Sequence, residues 1–267
     1  MSDEATIRAA TWNVWWRFGD DWRARERGII ETLRRVDADI IGLQESWELS
    51  GTSQAQVLGE ALGMHGAFAG PGLPPVPDPI EHAEQAEVSM GLGLLSRWPI
   101  RDIVAHAMPS SDRPLVAMVA TIEHPRGALH VIVGAVSWEP EKFDETADQL
   151  RELDALANNP AFDGPLPVLV LADCNYDFDM PAMRELSLVD TWGAVNGADV
   201  DPRTLSETNR FAPREAEAQF NRRIDHVLAR PGTRDRAVDV RASRIVRDEF
   251  NGLPPSDHYL VVSDVAI

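Results

Sequence analysis

Hydrophobic positions along this chain come in two rhythms: short runs that read as strands, and stripes spaced three and four apart that read as helices. Residues 7–14 alternate loosely and close on Thr11-Trp12-Asn13-Val14, a first strand with Asn13 near its end. A buried strand over 39–45 closes on Glu45, and others are predicted at 90–96, 115–123 and 128–136. Pro125-Arg126-Gly127 supplies the turn between the last two. The run 168–171 is wholly apolar and leads straight into Asp173 and Asn175, while 224–228, 237–246 and 259–267 complete the strands. Helical stripes lie at 22–36 (Ile29, Ile30, Leu33, Val36), at 54–62 before Gly63, and at 141–158 (Phe143, Ala147, Leu150, Leu153). A shorter helix is expected near 180–186, followed by a weakly patterned loop over 193–221.

Strands outnumber helices and several are joined by hairpins, which favours two sheets packed face to face with helices outside over a doubly wound parallel sheet. Residues 70–87 are Pro-rich and acidic, a surface insertion bordering whatever the strand ends form. With no internal repeat or low-complexity linker, residues 1–267 are expected to form a single domain.

Composition narrows the function. An apolar content of 44% supports a sizeable core. The single cysteine, Cys174, excludes an internal disulfide and fits a reducing compartment. The first residues show no basic and apolar leader, and no run approaches the roughly 20 apolar residues of a membrane span, so a cytoplasmic protein is expected. The formal net charge is −18, which disfavours a polyanionic nucleic acid and suits a small phosphorylated or phosphodiester substrate better.

Polar groups collect where predicted strands end. Asn13, Glu45, Asp173 with Asn175, Asp225, and Asp257 with His258 all stand at such places. Mg²⁺ or Mn²⁺ prefers this oxygen-rich company, and a histidine beside a carboxylate suits proton transfer or charge stabilisation. Each residue alone has a plainer reading. Asp173 and Asn175 could cap the next helix, Asp225 could pair with Arg222 or Arg223, and His258 could be a surface histidine.

In order, TWNV (11–14), DADIIGLQES (37–46), GLGLLSRWPI (91–100), LADCN (171–175), RRIDHVL (222–228) and PSDHYLVV (255–262) resemble the endonuclease/exonuclease/phosphatase superfamily, with its deoxyribonuclease-I-like fold. The similarity is greatest to small bacterial members. The resemblance implies a four-layer α/β/β/α sandwich of mixed, mainly antiparallel sheets, with the site at one edge. It also implies that Glu45 is the principal metal ligand, with Asn13 beside it and Asp257 helping directly or through water. Asp173 and Asn175 would position the attacking water and hold the phosphate, and His258 would contact the phosphate while Asp225 orients it.

One departure stands out. Many relatives carry a histidine at the end of the strand before the long helix; here that position is Ala135, with Ser137 on the same face as a weaker donor. Losing a donor aimed at developing charge costs on the order of 10²–10³ in rate. Trp15 and Trp16 are candidates to grip a substrate at the rim or to pack beneath loops, and Arg222 is a candidate phosphate contact. The expectation is a metal-dependent phosphodiesterase or phosphatase. The alternatives are a nuclease of the same superfamily, or a member re-purposed for other chemistry or binding.

Overall fold

The computed structural model describes residues 5–233 and 237–267. Its strands are β1 (Thr6–Asn13), β2 (Ile40–Leu49), β3 (Thr52–Ser53), β4 (His65–Ala69), β5 (Ser89–Ser96), β6 (Ile100–Ala107), β7 (Val116–His124), β8 (Gly127–Ala135), β9 (Val168–Asp173), β10 (Val189–Asp190), β11 (Asp225–Arg230), β12 (Val240–Val246) and β13 (Leu260–Ala266). The α-helices are α1 (Trp22–Val36), α2 (Gln54–Leu62), α3 (Phe143–Ala157) and α4 (Pro181–Glu185).

Two sheets result. One runs β12-β13-β1-β2-β5-β4, with β3 on β2; the other runs β10-β11-β9-β8-β7-β6. Only β1/β2 and β8/β9 pair in parallel among the described strands. Alternation along β1 explains the layering. Ile7 and Ala9 join the core between the sheets, while Ala10, Trp12 and Val14 pack with Ile29, Leu33 and Val36 of α1. Leu150 and Leu153 of α3 cover the other sheet, and Leu153 lies over Gly134 of β8. The architecture is therefore the expected four-layer α/β/β/α sandwich. At Gly42 the sheets come so close that a Cβ would lie 2.6 Å from that of Leu171, so the strand needs glycine there.

Local chemistry sets the helix ends. α2 starts with a reciprocal capping box between Ser53 and Gln56 and stops at Gly63, whose φ of 70° suits a residue without Cβ. No helix among the described residues is long and apolar enough to cross a membrane.

The structure corrects several local expectations. β2 does not close on Glu45 but continues to Leu49 past a bulge. β4 and β6 carry no legible strand pattern: β4 is short and rich in small residues, and β6 is a largely exposed edge strand with one neighbour. The long helix begins at Phe143 after a 3-10 turn at Pro140–Lys142. Phe143, in the first turn of α3, is 43% exposed although it shares the helical face of Ala147 and Leu150. The loop 193–221 contains a 3-10 segment, Arg214–Gln219, and a bridge through Leu205. Within 70–87, Leu73 and Gln85 are buried, and the Gln85 side-chain amide donates to the Arg17 carbonyl at 3.0 Å.

Candidate active site

Strand register brings the first three groups together. Asp173, the last residue of β9, sits directly across from Asp225 on β11 and from Ala135 on β8. Residues paired in register point to the same face, and here it is the face toward the other sheet, as Leu171 two positions earlier packs over Gly42.

The opposing sheet supplies Asn13 and Glu45, by different means. Asn13 shares the inner face with Ile7 and Ala9 at even spacing along β1. Glu45 does not: Ile41 and Leu43 face the helices, so a regular strand would send residue 45 outward as well. Instead the β2/β5 register shifts between Leu43 and Ser46, and Glu45 takes a left-handed φ of 52°. The bulge turns its carboxylate inward. Trp15 (φ 56°) and Asn175 (φ 54°) are also left-handed, so uncommon backbone conformations gather at this edge.

Asn13 ties the sheets together. Its Nδ2 donates to Glu45 Oε1 at 2.8 Å and to Asp173 Oδ2 at 3.0 Å, and its Oδ1 accepts the Trp15 N–H at 3.0 Å. His258 Nδ1 lies 2.9 Å from Asp225 Oδ2 and 4.0 Å from Asp173 Oδ2. With Nδ1 engaged, Nε2 is left for the cavity that the ring lines. Asn175 closes the wall with its amide already bonded, Nδ2 donating to Val136 O and Oδ1 accepting from Gln219.

Burial charges this arrangement unusually. It pushes the Glu45 carboxyl up to about 8, helped by the nearby Asp257, and the Asp173 carboxyl up to about 7, helped by Asp225. Burial likewise raises Asp257. For His258 burial opposes the charged form, but Asp225, Asp257 and Asp173 together outweigh it and hold the imidazolium well above its ordinary range.

A cavity of about 350 Å³ opens onto these groups. Asn13, Glu45, Asp173, Asn175, Asp257 and His258 line it, as do Trp15, Ala135 and Trp138. Asp225 lies behind His258 and is fully buried. Three expected contacts are elsewhere. Trp16 is 1% exposed and packs with Trp47, Val88 and Met90, its indole N–H spent on the Ser89 carbonyl. Arg222 is drawn to Asp179 at 3.0 Å and leaves the cavity wall. Ser137 is buried behind Ala135, bonded to Gln149 and Glu145 at the start of α3, and has no hydroxyl to offer a substrate.

Positioning residues emerge that motif reading passed over. The Thr204 hydroxyl accepts the N–H groups of Ile224 and Asp225, while its carbonyl accepts that of Tyr259. One residue thereby holds the backbones of Asp225 and His258 in step. Arg25 is buried, and its guanidinium donates to the carbonyls of Val14, Trp15, Trp16, Phe18 and Pro255. It clamps the first loop to the turn before His258. Its position in the buried stripe of α1, beside Trp22 and Ile29, was the signal available in the sequence. Thr204 and Gln219 sit in an unpatterned loop that offered none.

Comparison with known proteins decides the family. A sequence profile of the Endonuclease/Exonuclease/phosphatase family matches residues 10–258. The chain belongs to the endonuclease/exonuclease/phosphatase family. No curated protein sequence matches it significantly. Among solved structures, this family member superposes on D. rerio TDP2 complexed with single-strand DNA product (TM-score 0.74, 16% identity, 99% of this chain and 100% of that one). It also matches the human Nocturnin catalytic domain with bound sulfate anion (0.73, 18%, 98% and 93%). An endonuclease/exonuclease/phosphatase protein from Beutenbergia cavernae is similar too (0.69, 24%, 98% and 72%). The family comprises divalent-metal-dependent phosphoesterases and nucleases.

The donors present fit such a metal. Asp173, Asp225 and His258 offer atoms within 4.8 Å of one another, a spacing that would admit a cation. That trio, however, already holds a positive imidazolium hydrogen-bonded to Asp225. Two carboxylate oxygens here are buried without a hydrogen-bond partner, Asp225 Oδ1 behind His258 and Glu45 Oε2, which lies on the cavity lining near Asp257. A buried, unpartnered carboxylate is costly, and a hard cation relieves it.

Proposed function

We propose that this protein is a Mg²⁺- or Mn²⁺-dependent hydrolase of a phosphodiester or phosphomonoester of a small molecule, acting by in-line attack of water. The observation that carries the reading is the orphaned Glu45 Oε2 facing a cavity that also holds a histidine–aspartate pair. Glu45, Asp257 and Asn13 would hold the cation, which supplies positive charge opposite the phosphoryl oxygens.

The chain's own groups supply the rest. His258, kept cationic by Asp225, presents its Nε2–H to a phosphoryl oxygen and stabilises charge as it builds up. Asp173, with a carboxyl near 7, is suited to take a proton from water at neutral pH. Asn13 keeps Asp173 and Glu45 in register, and Asn175 shapes the wall around them. The buried, unpaired Cys174 accords with a cytoplasmic setting.

Nucleic acid is the second reading, favoured by the single-strand DNA product bound to D. rerio TDP2. The net charge of −18 and the absence of Lys or Arg among the described residues lining the cavity weigh against it. A screen with added Mg²⁺ or Mn²⁺ against nucleotides, sugar phosphates, lipid head groups and oligonucleotides tests the proposal, with Glu45→Ala as control. Hydrolysis that needs metal and Glu45 supports it. Turnover that is indifferent to both overturns it.

A further inference from the structure

The cavity's chemistry is lopsided. Its charged lining consists of Glu45, Glu81, Asp173, Asp257 and His258. Most neighbouring arginines are committed elsewhere, Arg25 to five carbonyls, Arg113 to Asp112 and Glu139, Arg222 to Asp179, and Arg223 to Asp190, while Arg210 and Arg214 are exposed and do not line the cavity. Once His258 is engaged at the reacting phosphate, a second or third phosphate inside the cavity would meet carboxylates and no Lys or Arg among the described lining residues.

Beyond these and the amides of Asn13, Asn175 and Gln219, the remaining lining is apolar and starts right beside the reacting groups. Ala135 is paired in register with Asp173, and Trp138 follows it on the wall. Leu73 and Pro74 come from the Pro-rich segment, and Trp15 and Phe18 from the first loop. Pro74 also borders a second groove of about 530 Å³, lined by Phe68, Pro71, Pro75, Val76 and Met90. Pro74 thus links the apolar part of the cavity wall to a mainly apolar groove that also contains Ser89 and Arg113.

Resting on the hydrolase reading above, we propose that the site selects phosphodiesters bearing a single phosphate and an uncharged aromatic or alkyl substituent, seated on the wall formed by Ala135, Trp138 and Leu73. The 70–87 segment then sets specificity, since it supplies Leu73 and Pro74. Burying a ring there removes apolar area from water, whereas the further phosphates of a polynucleotide would lie against the acidic part of the lining.

The test uses the metal-loaded full chain and two 4-nitrophenyl phosphodiesters whose retained ester is methyl or phenyl. Rates are normalised to alkaline hydrolysis, so that intrinsic reactivity cancels. The phenyl ester is expected to show kcat/KM higher by about tenfold or more. Trp138→Ala and Leu73→Ser, each checked for an intact melting transition, should bring the ratio toward one. Calorimetric binding of phenylphosphonate against methylphosphonate gives the same comparison without turnover. Hydrolysis of both esters without preference, a ratio untouched by either variant, or stronger inhibition by a short oligonucleotide than by phenylphosphonate overturns the selection and leaves the hydrolase reading standing. Preferential phenylphosphonate binding without turnover sinks the hydrolase reading and leaves the selection standing. Neither turnover nor preference overturns both.

Discussion

Asp225 and His258, 33 residues apart in the chain, share a buried hydrogen bond of 2.9 Å, and the charge of Asp225 leads those that keep the imidazole facing the cavity protonated. Burial alone would make His258 a neutral ring. With three carboxylates around it, the cation survives to neutral pH and beyond.

Asp225→Asn is accordingly expected to lower kcat by roughly 10² at neutral pH. The pH–rate profile reads the cause. Removing Asp225 brings the histidine pKa down, so the variant should keep more of its activity at acid pH and lose it as pH rises through neutrality. A profile parallel to wild type would show that His258 does not act as a cation.

Glu45, Asp173 and Asp257 make the metal-free protein pH-sensitive in an unusual direction. A carboxyl whose folded pKa exceeds its unfolded value binds more protons when folded. Stability without metal should therefore fall as pH rises from about 4.5 toward about 8, the folded value of Glu45. At pH 8, Glu45→Gln is expected to melt higher than wild type by a few degrees, about what relief of 1 kcal/mol or so yields. Added Mg²⁺ should raise the melting temperature of wild type and leave the variant nearly unmoved. Equal metal-induced shifts would remove Glu45 from the ligand set.

Ala135→His places a donor beside Asp173 on the cavity wall. Turnover of methyl 4-nitrophenyl phosphate is expected to rise by about tenfold, part of what one donor to developing charge can contribute. The same ring narrows the apolar wall, so the phenyl-over-methyl preference should shrink. Unchanged or lower turnover of the methyl ester would mean that the position serves shape alone.

Next to Asp225 on β11 but on the opposite face of the strand, His226 predicts an acid-labile step. Its Nε2 bonds to the Tyr176 carbonyl at 2.9 Å and its Nδ1 lies 3.2 Å from an Arg223 guanidinium nitrogen, a setting that suits the neutral ring. Burial, helped by Arg223, depresses it to about 4. A depressed folded pKa contributes stability above the unfolded value near 6.5, lost as pH falls toward 4 and worth roughly 3 kcal/mol over that window. Urea denaturation of wild type and His226→Gln should show their difference narrowing by that order between pH 7 and 4. A constant difference would place the acid sensitivity elsewhere.

How far the sequence reaches can be judged residue by residue. Glu45, Asp173 and His258 were legible because each borders an apolar run, the first two after it and His258 before it, and strand ends with carboxylates, amides and imidazoles have few inexpensive structural uses. Trp16 and Arg222 were misplaced for the opposite reason. Their residue types suit binding, but Ser89 and Asp179, which engage them, lie far away in the chain. β6 was not legible because an exposed edge strand lacks the periodicity that burial imposes.

By itself the sequence determined the alternation of strands and helices, the family's motifs in order, the excess of acid, and the alanine, Ala135, that closes β8. These are local or compositional properties, written by the two-residue and 3.6-residue repeats and by counting. Tertiary structure alone decided that a bulge would turn Glu45 inward, that Thr204 and Arg25 would hold the site's two halves together, and that the arginines would be spent away from the cavity. Hydrogen bonds and ion pairs form over about 3 Å between residues whose distance along the chain sets no limit on their approach, so only the packing of the two sheets could choose them.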